Sequence, residues 1–247
     1  MGKTYKGHKK GKKDQKQLPE TSRESQKAGV GAAPRPASNH PAMDRYEDLK
    51  TNLLTRHPNG SIKTILFAGT THGNGASTTA INFATALARD SKLKVLLMDV
   101  NLRTPSFHDV FKIDQADGLV DLISGKGLVA SQIKRVGLGN LFVLACRANH
   151  SEPLALFESK RFDQFLKLTR EKFDYVILDA PPVSRFSECR VLGAKVDGVV
   201  LVVESGKTRR QVALRARKEL EDAGGKLLGV VLNKRRHYIP EFIYRRL

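Results

Sequence analysis

The chain has 247 residues, of which 40% are hydrophobic, enough for one packed α/β domain with an additional tail. It carries 43 Lys and Arg residues against 25 Asp and Glu residues, and the net charge of +18 predicts an anionic partner such as nucleic acid, a membrane surface or an acidic protein. No apolar run approaches the roughly 18 residues of a membrane-spanning helix, and the N-terminus lacks an apolar signal core. We therefore expect a cytoplasmic protein.

Residues 1–43 are predicted to form a disordered basic arm. They hold ten Lys or Arg residues against three acidic ones, with little apolar content and many Gly, Pro and Ser residues. Such an arm can be a solubilising tail, a tether to anionic lipid or a nucleic-acid contact. Nucleic acid is the least favoured of these partners, because no aromatic residues are interleaved for base stacking. We predict that the arm brings the protein to the inner face of the cell membrane.

From residue 44 onward the pattern alternates between helices and apolar strands. The pattern predicts helices at residues 44–55, 76–87, 153–173 and 208–223, and strands at 64–68, 93–99, 141–146, 175–179, 198–203 and 227–232. Strands of almost continuous Val, Ile and Leu, separated by helices, predict an α/β fold with a doubly wound, mostly parallel sheet covered on both faces. The predicted domains are the arm 1–43, a P-loop domain 44–236 and a basic, apolar tail 237–247.

A glycine-rich loop joins the first strand to its helix. Residues 69–79 read GTTHGNGASTT, and strand, glycine-rich turn and helix together are typical of a phosphate-binding loop. Backbone N–H groups of such a loop and of the helix start form an anion-binding nest. The predicted nucleotide contacts are Gly73, Asn74, Gly75, Ala76, Ser77 and Thr78. Ser77 stands where the hydroxyl ligand of Mg²⁺ belongs, but Ala76 stands where the motif requires lysine, so we expect weak binding of ATP and Mg²⁺.

Polar residues follow three of the predicted strands. Asp99, Asp179 and Asn233 lie at strand ends, where ligands bind in parallel sheets. Ser77, Asp99 and Asp179 are the candidate metal ligands, because a carboxylate beside a phosphate loop can hold Mg²⁺ or its water. Arg103, just beyond Asp99, can offer a bidentate contact to phosphate. Each Asp could instead be only a helix or turn cap.

Several segments resemble the cytoplasmic kinase domain of bacterial tyrosine kinases that control capsular and exopolysaccharide synthesis, within the wider group of MinD- and ParA-like P-loop ATPases. The segments that carry the resemblance are 96–105 (LLMDVNLRTP) with His108 and Phe111 after it, 173–183 (FDYVILDAPPV), 196–203 (VDGVVLVV) and 229–234 (GVVLNK). The resemblance implies that Asp99 and Asp179 serve metal binding and catalysis. It also implies that Ser77 ligates Mg²⁺ and that Asn233 lies near the adenine.

The chain departs from that family's pattern in its charged residues. Ala76 replaces the loop lysine, Asn101 replaces a second acid, and Thr71 stands where MinD-like relatives carry their own lysine. Arg103 is then the only cation of these motifs that could compensate. The family's oligomerisation helix carries Glu, Arg and Arg where this chain has Asp44, Glu47 and Lys50, which makes ring assembly doubtful. Its tyrosine-rich tail is reduced here to Tyr238 and Tyr244.

Three functions remain open from the sequence. The resemblance implies a tyrosine-kinase-like component, with impaired phosphoryl transfer, that regulates exopolysaccharide polymerisation and export beside a membrane-embedded polysaccharide co-polymerase. The second possibility is a non-catalytic, nucleotide-sensing adaptor on the same partner. The third and less favoured one is a MinD- or ParA-like positioning ATPase.

Overall fold

The computed structural model describes residues 41–235, apart from residues 59, 114–117, 127–128, 138 and 148–149. Most of the predicted basic arm and all of the predicted tail 237–247 lie outside the described residues. Within them, no helix is both long enough and apolar enough to cross a bilayer.

A seven-stranded sheet forms the centre of the described fold, in the order β3-β4-β2-β5-β1-β6-β7. Every neighbouring pair is parallel except β3 and β4. The central strands are buried on both faces because they consist almost entirely of apolar residues. The strands are β1 Thr64–Gly69, β2 Val95–Asp99, β3 Lys134–Val136, β4 Leu141–Leu144, β5 Tyr175–Ala180, β6 Gly198–Glu204 and β7 Leu227–Asn233.

Helices cover both faces of the sheet, and each face has its own apolar core. Phe83 and Phe107 pack in one core, and Phe157, Phe162 and Leu220 pack in the other. The predicted doubly wound α/β fold is thus confirmed. The helices are α1 Pro41–Arg56, α2 Ala76–Ala88, α3 Phe107–Phe111, α4 Gly118–Ser124, α5 Val129–Gln132, α6 Pro153–Glu158, α7 Lys160–Lys172, α8 Glu188–Lys195 and α9 Arg210–Asp222.

The differences from the predicted elements have local causes. The predicted helix 153–173 is two helices, because Ser159 adopts an extended backbone and caps α7 by accepting a hydrogen bond from the Phe162 N–H at 3.2 Å. The short elements α3, α4, α5, α8 and β3 were not predicted, since none is long enough to show a clear hydrophobic period. Helix α1 begins at Pro41, three residues before its predicted start.

Asp197 joins three elements at the edge of the sheet where β1 and β6 begin. Its carboxylate accepts hydrogen bonds from the N–H groups of Lys63 and Thr64 at 2.9 and 2.8 Å, and from the Thr64 hydroxyl at 2.8 Å. The Arg170 guanidinium of α7 donates to its other oxygen at 2.7 Å. Burial alone would raise the pKa of Asp197, but these hydrogen bonds and the Arg170 charge outweigh burial and hold the pKa below its usual value.

We predict that Asp197→Ala lowers the free energy of unfolding by roughly 2–3 kcal/mol at pH 7, because it removes several charge-assisted hydrogen bonds. Since the folded pKa lies below the unfolded value of about 3.9, the contribution is present above that value and is lost as the pH falls through the folded pKa. Urea unfolding of the wild type and of Asp197→Ala at pH 7 and pH 3 measures this contribution to the free energy of unfolding. Asp222→Ala, which removes the exposed ion pair with Lys218, is the control and should lower the free energy of unfolding far less than Asp197→Ala does. Equal losses for the two variants would contradict the anchoring role of Asp197.

Candidate nucleotide-binding site

The loop between β1 and α2 takes the shape that its glycines allow. Gly73 and Gly75 have φ values of 81° and 84°, in the left-handed region where side chains are strained. Gly75 caps α2 without any side-chain hydrogen bond to the helix start. The N–H groups of the first turn are therefore available to an anion, and the helix dipole places partial positive charge there.

Asn74 organises the loop from within. Its side chain is almost fully buried, and its Oδ1 accepts from the Thr71 N–H at 2.6 Å, the Thr71 hydroxyl at 2.8 Å and the Thr70 hydroxyl at 3.1 Å. Its Nδ2 donates to the Thr208 hydroxyl at 3.2 Å, which ties the loop to the segment after β6. The side chain of Asn74 therefore acts as an internal support for the loop, and only its backbone remains for a ligand.

Asp99 and Asp179 are side by side at the carboxyl ends of β2 and β5. The parallel register pairs them directly, and both are buried. Asp99 accepts from the Asn101 N–H at 3.1 Å, and its second oxygen accepts from the N–H groups of Ser106 and Phe107 at 2.9 and 3.3 Å. Asp99 thus caps the start of α3, the structural role that the sequence had left open. Among the described residues, neither carboxylate oxygen of Asp179 has a hydrogen-bond partner.

Burial raises the pKa of both carboxyl groups. The pKa of Asp99 rises to about 6 through desolvation, partly offset by its backbone hydrogen bonds and by nearby His108. The pKa of Asp179 rises well above its usual value, first because it is buried and then because Asp99 is adjacent. The Ser77 hydroxyl lies near Asp179 without a well-formed hydrogen bond, and its polarity only partly opposes this rise. Without a cation, the pair holds its negative charge at a considerable cost.

His108 and Cys146 lie next to the carboxylate pair. Nε2 of His108 lies 2.6 Å from the Cys146 carbonyl oxygen, which fixes this nitrogen as the donor. Nδ1 is buried and has no hydrogen-bond partner in the described structure. Burial and the two carboxylates raise the pKa of the Cys146 thiol, which keeps the thiol neutral. Cys146 and Cys189 are both buried and free.

The donor set at the strand ends suits Mg²⁺ that is shared with phosphates. In the described part of the chain, no group of three or more His, Cys, Asp and Glu side chains could hold a metal by itself. Mg²⁺ needs only one or two protein oxygens, because waters and phosphate oxygens complete its shell. The unpartnered carboxylate of Asp179 beside the Ser77 hydroxyl fits this requirement. Asp99 is adjacent, although α3 already uses its oxygens.

Arg103 is engaged by Glu188 and Phe186. Its Nε and Nη2 donate to the buried Glu188 carboxylate at 3.0 and 2.7 Å, and its guanidinium stacks 5.2 Å from the centre of the Phe186 ring. The sequence named Arg103 as the cation that could contact phosphate. The structure instead places it in an ion pair with the start of α8.

The end of β7 meets the loop through Asn233. Its Nδ2 donates to the Asn74 carbonyl at 2.9 Å. The next residue, Lys234, donates from Nζ to the Gly73 carbonyl at 2.6 Å. Lys234 was not predicted as a site residue, and its position directly after Asn233 was the signal available in the sequence. The structure thus brings the loop, Ser77, the carboxylate pair and Asn233 to one edge of the sheet.

We predict that Asp179→Asn stabilises the metal-free protein at pH 8 by about 1–3 kcal/mol, because it removes a buried charge without a partner. The raised folded pKa means that wild-type stability falls as the pH rises above the unfolded value of about 3.9. Unfolding in EDTA between pH 5 and pH 8 should show this fall in the wild type and a smaller one in the variant. Asp109→Asn, at an exposed position on α3, is the matched control. Identical pH profiles of stability for the wild type and Asp179→Asn would show that ionisation of Asp179 does not destabilise the metal-free protein.

Comparison with known proteins gives concordant matches. A family model described as an AAA domain matches residues 62–210. The tyrosine-protein kinase YwqD of Bacillus subtilis is 31% identical over 190 residues, which cover 77% of this chain and 80% of that protein. The solved kinase domain of the Escherichia coli tyrosine kinase ETK is 25% identical with a TM-score of 0.76, and the match covers 88% of this chain and 85% of that one.

A more distant match shows the fold alone. The septum site-determining protein MinD of Pyrococcus horikoshii, solved with Mg-ADP, is 19% identical with a TM-score of 0.59, over 74% of this chain and 76% of that one. The family model includes the phosphate loop and both strand-end carboxylates, and the alignment with YwqD spans most of both proteins. The chain therefore belongs to the bacterial tyrosine-protein kinases of the P-loop, AAA-domain group.

Proposed function

We propose that this protein is a cytoplasmic, tyrosine-kinase-like component that regulates the polymerisation and export of an exopolysaccharide or capsule, and that its phosphoryl transfer is impaired. The observation that carries the proposal is an ordered phosphate loop in which Ala76 replaces the lysine, next to two buried carboxylates. The loop supports nucleotide binding, and the missing charge argues against fast chemistry.

The missing lysine has a considerable expected cost. A desolvated charge contact of this kind contributes on the order of 2–5 kcal/mol to binding. A cation at the transferring phosphoryl group contributes on the order of 10³–10⁵ in rate. Arg103, the candidate for compensation, is held by Glu188 at 2.7 Å. Weak nucleotide binding with little or no phosphoryl transfer is therefore the activity that we propose.

Each site residue has a distinct task in this proposal. The N–H groups of residues 73–78 would bind the phosphates, and Asn233 would lie near the adenine. Ser77 and Asp179 would hold Mg²⁺, with Asp99 beside them. When bound, Mg²⁺ would neutralise charge on the phosphates and relieve the repulsion between the carboxylates. Asp99 also fixes the start of α3, the helix that carries His108 beside the site.

The proposed partners are a membrane-embedded polysaccharide co-polymerase and the anionic inner surface of the membrane. The basic arm that would meet the membrane lies outside the described residues. Ring assembly stays doubtful in this proposal. Glu47 of α1 pairs with Lys50 at 2.9 Å and with Arg89 at 3.6 Å, so these charges are used within the chain.

A non-catalytic adaptor is the second candidate function. It is favoured by the low tyrosine content of the tail 237–247, in which Tyr238 and Tyr244 stand among basic and apolar residues. In this version, nucleotide binding would signal to the co-polymerase without phosphoryl transfer. The tail would then act as a docking element for the partner.

We predict that Ala76→Lys tightens ATP–Mg²⁺ binding at least about tenfold, which corresponds to about 1.4 kcal/mol. The new ammonium would reach phosphate oxygens that the wild-type loop binds only through N–H groups. Calorimetric titration of both proteins measures the change, and Ala76→Met controls for side-chain length without charge. If affinity does not change, or if neither protein binds, the proposed site has diverged by more than one residue.

We also predict that Tyr238 and Tyr244 are not efficiently autophosphorylated. The protein is incubated with ATP and Mg²⁺, and phosphotyrosine is mapped by mass spectrometry. Stoichiometric phosphate on either tyrosine would overturn the impaired-kinase proposal, provided that Asp99→Ala abolishes it. Asp179→Asn serves as a second inactive variant, because it leaves the cap of α3 intact.

A further inference from the structure

Lys234 follows the last residue of β7 and has an unusual backbone. Its φ of 55° lies in the left-handed region, which non-glycine residues rarely adopt. Its N–H donates to Oδ1 of Asn233 at 2.8 Å, and this hydrogen bond stabilises the turn. The turn directs the side chain towards the phosphate loop, where Nζ reaches the Gly73 carbonyl at 2.6 Å.

The contact between β7 and the loop is close as well as polar. A Cβ atom added at Gly75 would lie 2.2 Å from Nδ2 of Asn233 and 3.9 Å from Cε of Lys234. The two side chains thus lie directly against the loop at the residue before Ala76. Lys234 therefore contacts the loop through the ammonium at Gly73 and approaches it with Cε at Gly75, the residue before Ala76.

Glu204, the last residue of β6, sets the charge balance around Lys234. Its Oε2 lies 3.4 Å from Nζ of Lys234 and 3.6 Å from Nζ of Lys207. Glu204 is shared between two cations, so it cannot fully neutralise either. The Lys234 side chain remains 48% exposed. An ammonium has three N–H donors. The Gly73 carbonyl accepts one of them, and Oε2 of Glu204 lies at ion-pair distance without forming a hydrogen bond.

The other described cations near the loop are less suitable. Arg103 is held by the buried Glu188, and Lys207 reaches Glu204 without any recorded contact to the loop. Lys234 combines a direct loop contact with a free donor and an exposed position.

We propose that Lys234 replaces the missing lysine of the phosphate loop, by bringing one positive charge to the bound phosphates from the end of β7. This inference rests on the proposed function, since it requires that the loop binds a nucleoside polyphosphate. Lys234 is a ligand-binding residue in this role: it contributes its charge directly and also fixes the Gly73 peptide. Its two remaining donors are available to oxygens of the ligand.

The test is a double-mutant cycle with Ala76→Lys, in which ATP–Mg²⁺ binding is measured by calorimetry. Lys234→Met should weaken binding at least about tenfold in the wild-type background. In the Ala76→Lys background the same change should weaken it less than about threefold, because position 76 then supplies the charge. Lys234→Arg should restore most of the affinity.

Lys234→Met should also reduce the salt dependence of ATP–Mg²⁺ binding, which the loss of a purely structural contact would not do.

The control is Lys207→Met, which removes the other cation on Glu204 and should leave affinity within about twofold of the wild type. Equal weakening by Lys234→Met in both backgrounds would show that Lys234 only braces the loop, and would overturn the inference. Binding by Ala76→Lys without measurable binding by the wild type would overturn it as well. If neither protein binds ATP–Mg²⁺, the proposed function itself fails, an outcome distinct from both.

Discussion

The parallel register of β1, β5 and β2 is the constraint on which the site depends. It pairs Asp99 with Asp179 and aligns both with the end of β1, where the phosphate loop begins. The segment after β5 then returns to the loop, because the Val183 N–H donates to the Gly69 carbonyl at 3.0 Å. A strand slipped by one residue would turn a carboxylate to the opposite face of the sheet. The site is therefore a consequence of sheet pairing, with the loops adding its finer geometry.

The charge balance at the carboxyl ends of β2 and β5, beside the phosphate loop, is unusual for a phosphate-binding site. Two buried carboxylates approach each other with few compensating positive groups, and the raised pKa values of Asp99 and Asp179 reflect this environment. A polyphosphate entering without a cation would meet the negative charge of the carboxylate pair and no lysine at position 76. The proposed site thus favours a metal-bound nucleotide over a free one. Mg²⁺ would be needed for binding as well as for chemistry.

The sequence predicted the parts of this structure that depend on local pattern. Continuous apolar runs identified the parallel strands, and the residues that end them identified Asp99, Asp179 and Asn233. The sequence did not predict the ion pair of Arg103 with Glu188, because the two residues are 85 positions apart and Glu188 lies on a short helix. It also did not predict Lys234, whose contact with Gly73 depends on one left-handed residue. Long-range polar contacts of this kind leave no periodic signal.

Position 76 has a further consequence for how such a protein can evolve. Ala76 begins α2, and alanine is the residue best suited to a helix, so replacing lysine there carries little penalty for folding. The supports of the loop lie elsewhere, in Asn74 and in the contacts of Asn233 with Gly75. In the proposed function, the charge at position 76 and the supports of the loop would thus be encoded by separate residues. A lineage can lose the chemistry through a single codon and keep the scaffold, and a single codon could restore the lysine.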